Sequence, residues 1–340
     1  MKTIIVTGGC GYIGSHTLVD LIENGYHVIS IDNNSRSNAD ILKGVKKITG
    51  VDVKNYKVNL CNFDETHAIF QENENISGII HFAAYKAVSE SVENPLAYYD
   101  NNVNSLINIL RCATEFKVPH FVFSSSCTVY GNPDIIPVTE ESPFLTAASP
   151  YGATKQMGEE IVRDTVKSCI NLEAVLLRYF NPVGAHPSIA IGELPIGKPQ
   201  NLVPAITQTA IGKLLQMKVW GSDYDTKDGT CVRDFIHVCD IAHAHTLAIK
   251  NLENKTNKTN CDVFNLGTGN GYSVLEVIKT FEKVSGILLN YTLSNRREGD
   301  VIAIYANNDK AKNELHWHTK FDLDDMMLSA WEWEKSMSKV

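Results

Sequence analysis

Residues 8–14 read Gly8-Gly9-Cys10-Gly11-Tyr12-Ile13-Gly14, soon after the apolar run Ile4-Ile5-Val6. Glycines at 8, 11 and 14 suit a tight turn, close backbone approach to a pyrophosphate, and a helix packed hard against a strand. A helix opening there points unpaired N–H groups and the positive end of its dipole at the phosphates. Helical spacing follows: Ile13, Thr17, Leu18 and Leu21 share one face, and Gly25 ends the pattern. Asp32 stands 18 residues beyond Gly14, at the end of the next apolar run. A carboxylate there accepts from ribose hydroxyls and repels a 2′-phosphate, so the turn predicts NAD rather than NADP. Arg36 could hold a 2′-phosphate only by overcoming Asp32, and reads as an exposed loop residue.

The first half continues to alternate apolar runs with helical patterns. Residues 4–6, 27–31, 78–83, 120–124 and 174–177 read as buried parallel strands. Between two of them Val103, Leu106, Ile107 and Leu110 mark one face of a helix. The pattern predicts an α/β fold, with a Rossmann-type doubly wound parallel sheet over residues 1–180. After Phe180 five prolines, at 182, 187, 195, 199 and 204, exclude one long helix. Apolar runs return at 234–238 and 263–266. A helical pattern follows at 322–333, with Leu323, Met326 and Met327 facing inward. Residues 181–340 are expected to form a smaller mixed α/β substrate-binding region, some late segments returning to the first. Residues 251–260, rich in Asn, Lys and Thr, read as a solvated surface loop.

Composition narrows the partners. With 31 Lys and Arg against 39 Asp and Glu the net charge is −8, which disfavours nucleic acid or an anionic membrane. The eight cysteines are scattered without a Cys-x-x-Cys pair, as in reduced cytoplasmic proteins rather than disulfide or zinc frameworks. The opening apolar run is too short for a signal peptide, and no stretch of about 18 apolar residues occurs. His243 with His245 and His316 with His318 are the close histidine pairs. Residues two apart on a helix do not share a face, so no metal is expected.

Tyr151-Gly152-Ala153-Thr154-Lys155 sets a phenol and an ammonium four residues apart, on one face if helical. A free tyrosine, with a pKa of about 10, is a poor base at neutral pH. A fixed positive charge favours the phenolate, which could then take a proton from a hydroxyl as hydride leaves the same carbon. The run at 120–124 ends in Ser124-Ser125-Ser126, at the carboxyl end of a strand where such sheets bind ligands.

Turn, strand-end serines and Tyr-x-x-x-Lys together resemble the extended short-chain dehydrogenase/reductase family. The match is closer in residues 7–17 (TGGCGYIGSHT), 81–92 (HFAAYKAVSESV), 98–104 (YYDNNVN), 177–187 (LRYFNPVGAHP) and 296–300 (RREGD). These strings look like the branch that epimerises UDP-hexoses at C4, and the likeness runs over nearly the whole chain. The resemblance implies retained NAD, a 4-keto intermediate, UDP-glucose and UDP-galactose as substrates, and a homodimer. The dimer would form through helices near residues 103–112 and 149–167. By the same resemblance Tyr151, Lys155 and Ser126 are catalytic, with Thr128 beside the same sugar oxygen. Gly8, Gly11, Gly14, Tyr12 and Ile13 would hold the pyrophosphate, and Asp32 and Asn33 the adenosine. Asn59, Leu60, Phe82, Lys86, Asn101 and Phe180 would complete the cofactor site, Lys86 on the nicotinamide ribose. Asn181, Arg233 and Arg297 would contact the sugar nucleotide's phosphates, Asn201 and Leu202 its backbone, Trp220 its uracil, and Asp300 its ribose.

Three positions depart from the family's commonest pattern. Asn59 replaces an aspartate, Phe235 a tyrosine, and Ile304 stands where a tyrosine restricts the site to plain hexoses and a smaller residue admits 2-acetamido sugars. Isoleucine is intermediate, and at least partial use of the UDP-N-acetyl sugars is expected. A 4,6-dehydratase or decarboxylase of the same fold is the nearest alternative. A dehydratase needs an acid and a base near the serine, whereas Cys127-Thr128-Val129-Tyr130 carries no carboxylate. A non-catalytic nucleotide sensor would be favoured by loss of Tyr151 or Lys155, and both are present.

Overall fold

In the computed structural model, which describes residues 1–197, 199–297 and 300–338 of the 340-residue chain, the glycine turn joins the central strand β1 (Thr3–Thr7) to helix α1 (Tyr12–Glu23). Beside β1 lie β2 (His27–Ile31), β3 (Lys54–Tyr56), β4 (Ile76–His81), β5 (His120–Ser124) and β6 (Glu173–Tyr179). Four short strands intervene, β7 (Asn181–Val183), β8 (Met217–Trp220), β9 (Val232–Arg233) and β10 (Phe235–His237), before β11 (Cys261–Leu266) returns to this sheet. The order is β3-β2-β1-β4-β5-β6-β11, parallel at every pairing. The direction of strand progression reverses at β1 and β4, which opens a crevice at their carboxyl ends.

Period-two alternation sorts the sheet's side chains between two cores. Ile4, Val6, Ile80, Val122, Val175 and Leu177 join one buried cluster. Ile5, Ile79, Phe121, Phe123 and Leu176 join the other. The first lies under α1, α2 (Ile41–Thr49) and α8 (Val238–Glu253); the second lies under α3 (Phe63–Glu72), α5 (Pro95–Glu115) and α6 (Pro150–Ser168). The short α4 (Val88–Glu93) precedes α5, and α7 (Leu202–Ala210) opens the second half's own core. That core gathers Ile206, Val219, Phe235, Phe281, Met326, Met327 and Trp331. It draws on α9 (Val274–Ser285), α11 (Leu323–Met337), β8 and β13 (Tyr291–Ser294), while β12 (Tyr272–Ser273), β14 (Ala303–Ile304) and α10 (Asp309–Glu314) complete the chain. Leu323, Met326 and Met327 are buried, as their spacing predicts.

Three expectations need correction. The strand read over 78–83 is Ile76–His81, because the residues after His81 bend to wall the cleft. On α5, Leu106 and Leu110 are buried, but Ile107 is exposed and Val103 half-buried. The buried stripe runs instead through Asn102, Ser105, Leu106, Ile109 and Cys112, since small polar residues also face the neighbouring helices. The loop read over 251–260 begins later, because α8 extends to Glu253 and Asn251 is buried with its amide on Thr256. Among the described residues no helix is long and apolar enough to cross a membrane.

Candidate functional site

A cleft of about 280 Å³ lies at the carboxyl ends of β1, β2 and β4. Its floor is the glycine turn. Gly8 adopts φ +71°, and its carbonyl accepts from Gly11 N at 3.0 Å. A Cβ on Gly14 would come within 2.2 Å of that same carbonyl oxygen, so only glycine lets α1 start so close to the turn. The first intrahelical bond runs from Ser15 N to Gly11 O, and the earlier amides of a helix have no intrahelical partner. The backbone at Tyr12 and Ile13 therefore suits a pyrophosphate. The Tyr12 phenol turns away and donates to Gly184 O at 2.5 Å.

Asp32 ends β2 in the same wall. Its carboxylate accepts from Cys10 N at 3.1 Å, Asn34 N at 2.9 Å and the Ser37 hydroxyl at 2.8 Å. These bonds fix the Asp32 side chain where a 2′-phosphate would have to sit. Arg36 is an exposed loop residue, as expected, at the rim of the cleft, and it is committed to Glu90 at 2.5 Å and to the Tyr85 ring. Both facts fit NAD over NADP. Asn33, Asn59, Leu60, Phe82, Lys86 and Asn101 also line the cleft. The Asn59 side-chain oxygen accepts from Cys61 N at 3.1 Å and keeps a second lone pair for a donor. Phe180 does not line it; this side chain is buried with Val129, Tyr130, Val138 and Ile304, because a strand's alternation points it away from the Tyr179 side.

The proposed catalytic groups meet at the cleft's inner end. Ser149 caps α6 by accepting from Gly152 N, and Pro150 occupies its first turn. This cap places Tyr151 and Lys155 on one buried face, both lining the cleft. Lys155 Nζ donates to Ser124 O at 2.7 Å and lies 5.8 Å from the centre of the Tyr151 ring. Burial lowers the Lys155 ammonium to about 8, with Glu159 opposing. Burial pushes the Tyr151 phenol up and Tyr179 adds to this, while hydrogen bonding with Ser126 opposes. The Lys155 ammonium is turned to the Ser124 carbonyl, and desolvation dominates the phenol. A phenolate there needs the additional positive charge of an oxidised nicotinamide.

Ser126 caps the turn that follows β5, its hydroxyl accepting from Thr128 N at 3.2 Å. The Thr128 hydroxyl is buried with no protein partner, as suits a group reserved for a ligand. Farther out, Arg233 on β9 lies 3.9 Å from Asp300, which accepts from Arg297 at 2.7 Å. Ile304 pairs in register with Arg233, and Asn181 with Phe235. Arg233, Arg297 and Asp300 form a second, basic wall beside the Ser126 turn, apart from the residues that line the cleft itself; Glu298 and Gly299 lie outside the described residues. Asn201 immediately precedes α7 and lines the cleft without capping the helix, and Leu202 opens that helix. Trp220 ends β8 and is 39% exposed under Lys218. Phe235 is buried in the second core and Ile304 in the cluster behind the Ser126 turn.

Two cleft residues escaped the sequence reading. Tyr179 lines the cleft, its hydroxyl 2.7 Å from that of Ser124. Glu193 accepts from Lys86 at 3.3 Å and Asn201 at 3.0 Å, joining the two walls. Alternation along β6 could have flagged Tyr179, opposite to Phe180. No local pattern points to Glu193, which sits in the proline-rich loop.

Comparison with known proteins agrees with this geometry. The family model described as the NAD dependent epimerase/dehydratase family matches residues 4–267. UDP-glucose 4-epimerase of Bacillus subtilis is 50% identical over 333 residues, covering 98% of this chain and 97% of that one. A solved UDP-glucose 4-epimerase from Bifidobacterium longum, in complex with NAD+ and UDP, superposes with a TM-score of 0.95 at 45% identity, covering 98% of each chain. The UDP-Glc/GlcNAc 4-epimerase of Campylobacter jejuni superposes at 0.84 with 36% identity, covering 99% of this chain and all of that one. With the glycine turn, the buried Tyr151–Lys155 pair and the fold in agreement, the chain belongs to the NAD dependent epimerase/dehydratase family.

Proposed function

We propose that this protein is an isomerase of galactose metabolism that interconverts UDP-glucose and UDP-galactose by inverting C4, with NAD held tightly in the cleft. The observation that carries the reading is a dinucleotide cleft that ends on the buried Tyr151 and Lys155, with Ser126 hydrogen-bonded to the Tyr151 phenol. When bound, NAD supplies a hydride acceptor that later returns the hydride. Tyr151 takes the proton from the C4 hydroxyl and returns it to the same oxygen once the ketone has turned its other face to the hydride, acting as base and then acid. Ser126 and Thr128 hold the same oxygen. Lys155 keeps the phenolate electrostatically supported and orients the ribose. Arg233 and Arg297 bind the diphosphate, for which guanidinium forks suit. Asp300, which bridges them in this structure, passes to the uridine ribose when a diphosphate arrives.

Residues 181–340 form the sugar-nucleotide-binding part in this reading, apart from α8 and β11, which belong to the first. Ile304 leaves more room than a tyrosine, which supports partial use of UDP-N-acetylglucosamine and UDP-N-acetylgalactosamine. The eight cysteines are unpaired, which supports a cytoplasmic location. Ile107 on α5 and Met157 on α6 are exposed apolar residues on neighbouring helices, which supports a homodimer through this face; a monomer mass by light scattering at every concentration would exclude it. The central test is purified protein mixed with UDP-galactose without added NAD. UDP-glucose should form, and the protein should release NAD on denaturation. No product even with NAD added would sink the reading.

A further inference from the structure

Behind the Ser126 turn lies an ion pair that the reaction does not touch. Glu159 is completely buried on α6, one turn beyond Lys155 and two beyond Tyr151. Its carboxylate accepts four hydrogen bonds. Arg178 on β6 donates two, from Nε at 2.8 Å and Nη2 at 2.7 Å; Arg163 donates one at 2.8 Å, and the Ser125 hydroxyl one at 2.6 Å. Arg178 continues from Nη1 to the Tyr130 hydroxyl at 3.0 Å and to Glu140 O at 3.2 Å. Tyr130 in turn donates to Asn265 on β11 at 2.6 Å.

Ser125 directly precedes Ser126, and Tyr130 ends the turn that begins after it. One buried pair therefore grips the chain on both sides of the serine that faces the sugar. A buried ion pair is a weak device for stability, because desolvation offsets its attraction. Its geometry is better suited to fixing a position. Burial alone would raise the Glu159 carboxyl, but the bonds from Arg178, Ser125 and Arg163 outweigh it and hold the group below its usual range, so it stays anionic.

We propose that Glu159 and Arg178 form a positioning pair that fixes Ser126 against Tyr151 and sets an anion one helical turn behind Lys155. This rests on the epimerase reading of the same site. Among the described residues Glu159 is the one anionic group that acts on Lys155. On α6 Lys155 faces Tyr151 and Glu159, and on β5 the Ser124 carbonyl and the Phe123 ring. From β4 comes His81, held neutral at about 3 by burial and the Lys155 charge. From β6 comes Tyr179, whose phenol is bonded to Ser124. Burial lowers Lys155 and Glu159 opposes that lowering. Lys155 is an ammonium below its pKa of about 8 and neutral above it, so activity that needs the ammonium falls on the alkaline side.

The experiment compares full-length wild type, Ser125→Ala and Glu159→Gln, reading kcat, KM for UDP-galactose, released NAD and the pH profile of kcat. Ser125→Ala removes one tether without stranding a charge. Its kcat should fall about tenfold with KM and NAD content unchanged. Glu159→Gln should also move the alkaline limb of kcat about one pH unit toward acid. A wild-type kcat in Ser125→Ala, or an unmoved limb in a folded Glu159→Gln, overturns the proposal. Where Glu159→Gln fails to fold, Ser125→Ala decides alone. An inactive wild type refutes the epimerase reading instead, so the two failures are distinguishable.

Discussion

The two walls of the cleft are built by different means. The cofactor wall relies on backbone: a positive-φ glycine, a second glycine that no side chain could replace, and a helix start, all within residues 8–14. The proposed substrate wall relies on side chains delivered by very short strands and loops, with Arg233 and Asp300 some seventy residues apart and Ile304 buried behind the Ser126 turn. Backbone recognition needs contiguous residues and tolerates almost no change. Side-chain recognition can be assembled from distant segments and retuned one position at a time. In the proposed function the first wall meets NAD and the second the sugar nucleotide, and the two constructions match those demands.

The difference can be probed at the point where the walls meet. Tyr151→Phe keeps both walls but removes the proton carrier; kcat should fall about a thousandfold, with NAD still released from the denatured variant. Loss of the cofactor in that variant would mean that Tyr151 belongs to the wall and not to the chemistry. Smaller and opposite effects should separate the walls themselves. Gly14→Ala forces a Cβ against the Gly8 carbonyl; it should cost about 2 kcal/mol of stability in urea titration and deplete bound NAD. Arg233→Ala should leave NAD content intact and raise KM for UDP-galactose about thirtyfold, the worth of a lost charge-assisted bond. If both variants lost NAD equally, the two walls would not be separable. The smallest effect is expected at Ile304, where Ile304→Tyr should lower turnover of the acetamido sugars about tenfold relative to UDP-galactose. Equal ratios in both proteins would remove Ile304 from the specificity account.

Legibility in the sequence follows the same division. β1, β2, β5 and α1 could be read because apolar runs and glycine spacing are local signals. The central Tyr151–Lys155 pair could be read because one helical turn links its members. The three-residue β3 and the two-residue β9, β12 and β14 carry too few residues for a period to show. Arg233 and Asp300 came from family likeness alone, since an isolated arginine has no pattern around it. Glu193 was missed for that reason, and Ile107 was placed inward because apolar spacing does not distinguish a core from an uncovered helix face. Burial, the largest influence on Tyr151, was not legible because it is a property of the assembled site.

The return of α8 and β11 to the first half has a bearing on how such a protein can be re-engineered. β11 completes the sheet beside β6, and α8 packs over α1, directly behind the glycine turn. A cut after residue 180 would leave β6 as a bare edge and strip the α1 face of its cover. The substrate half is therefore no detachable cassette that could be exchanged for another to confer a new sugar. Recombination at that border would break a shared core, so altered specificity is reached by editing the loops and short strands in place.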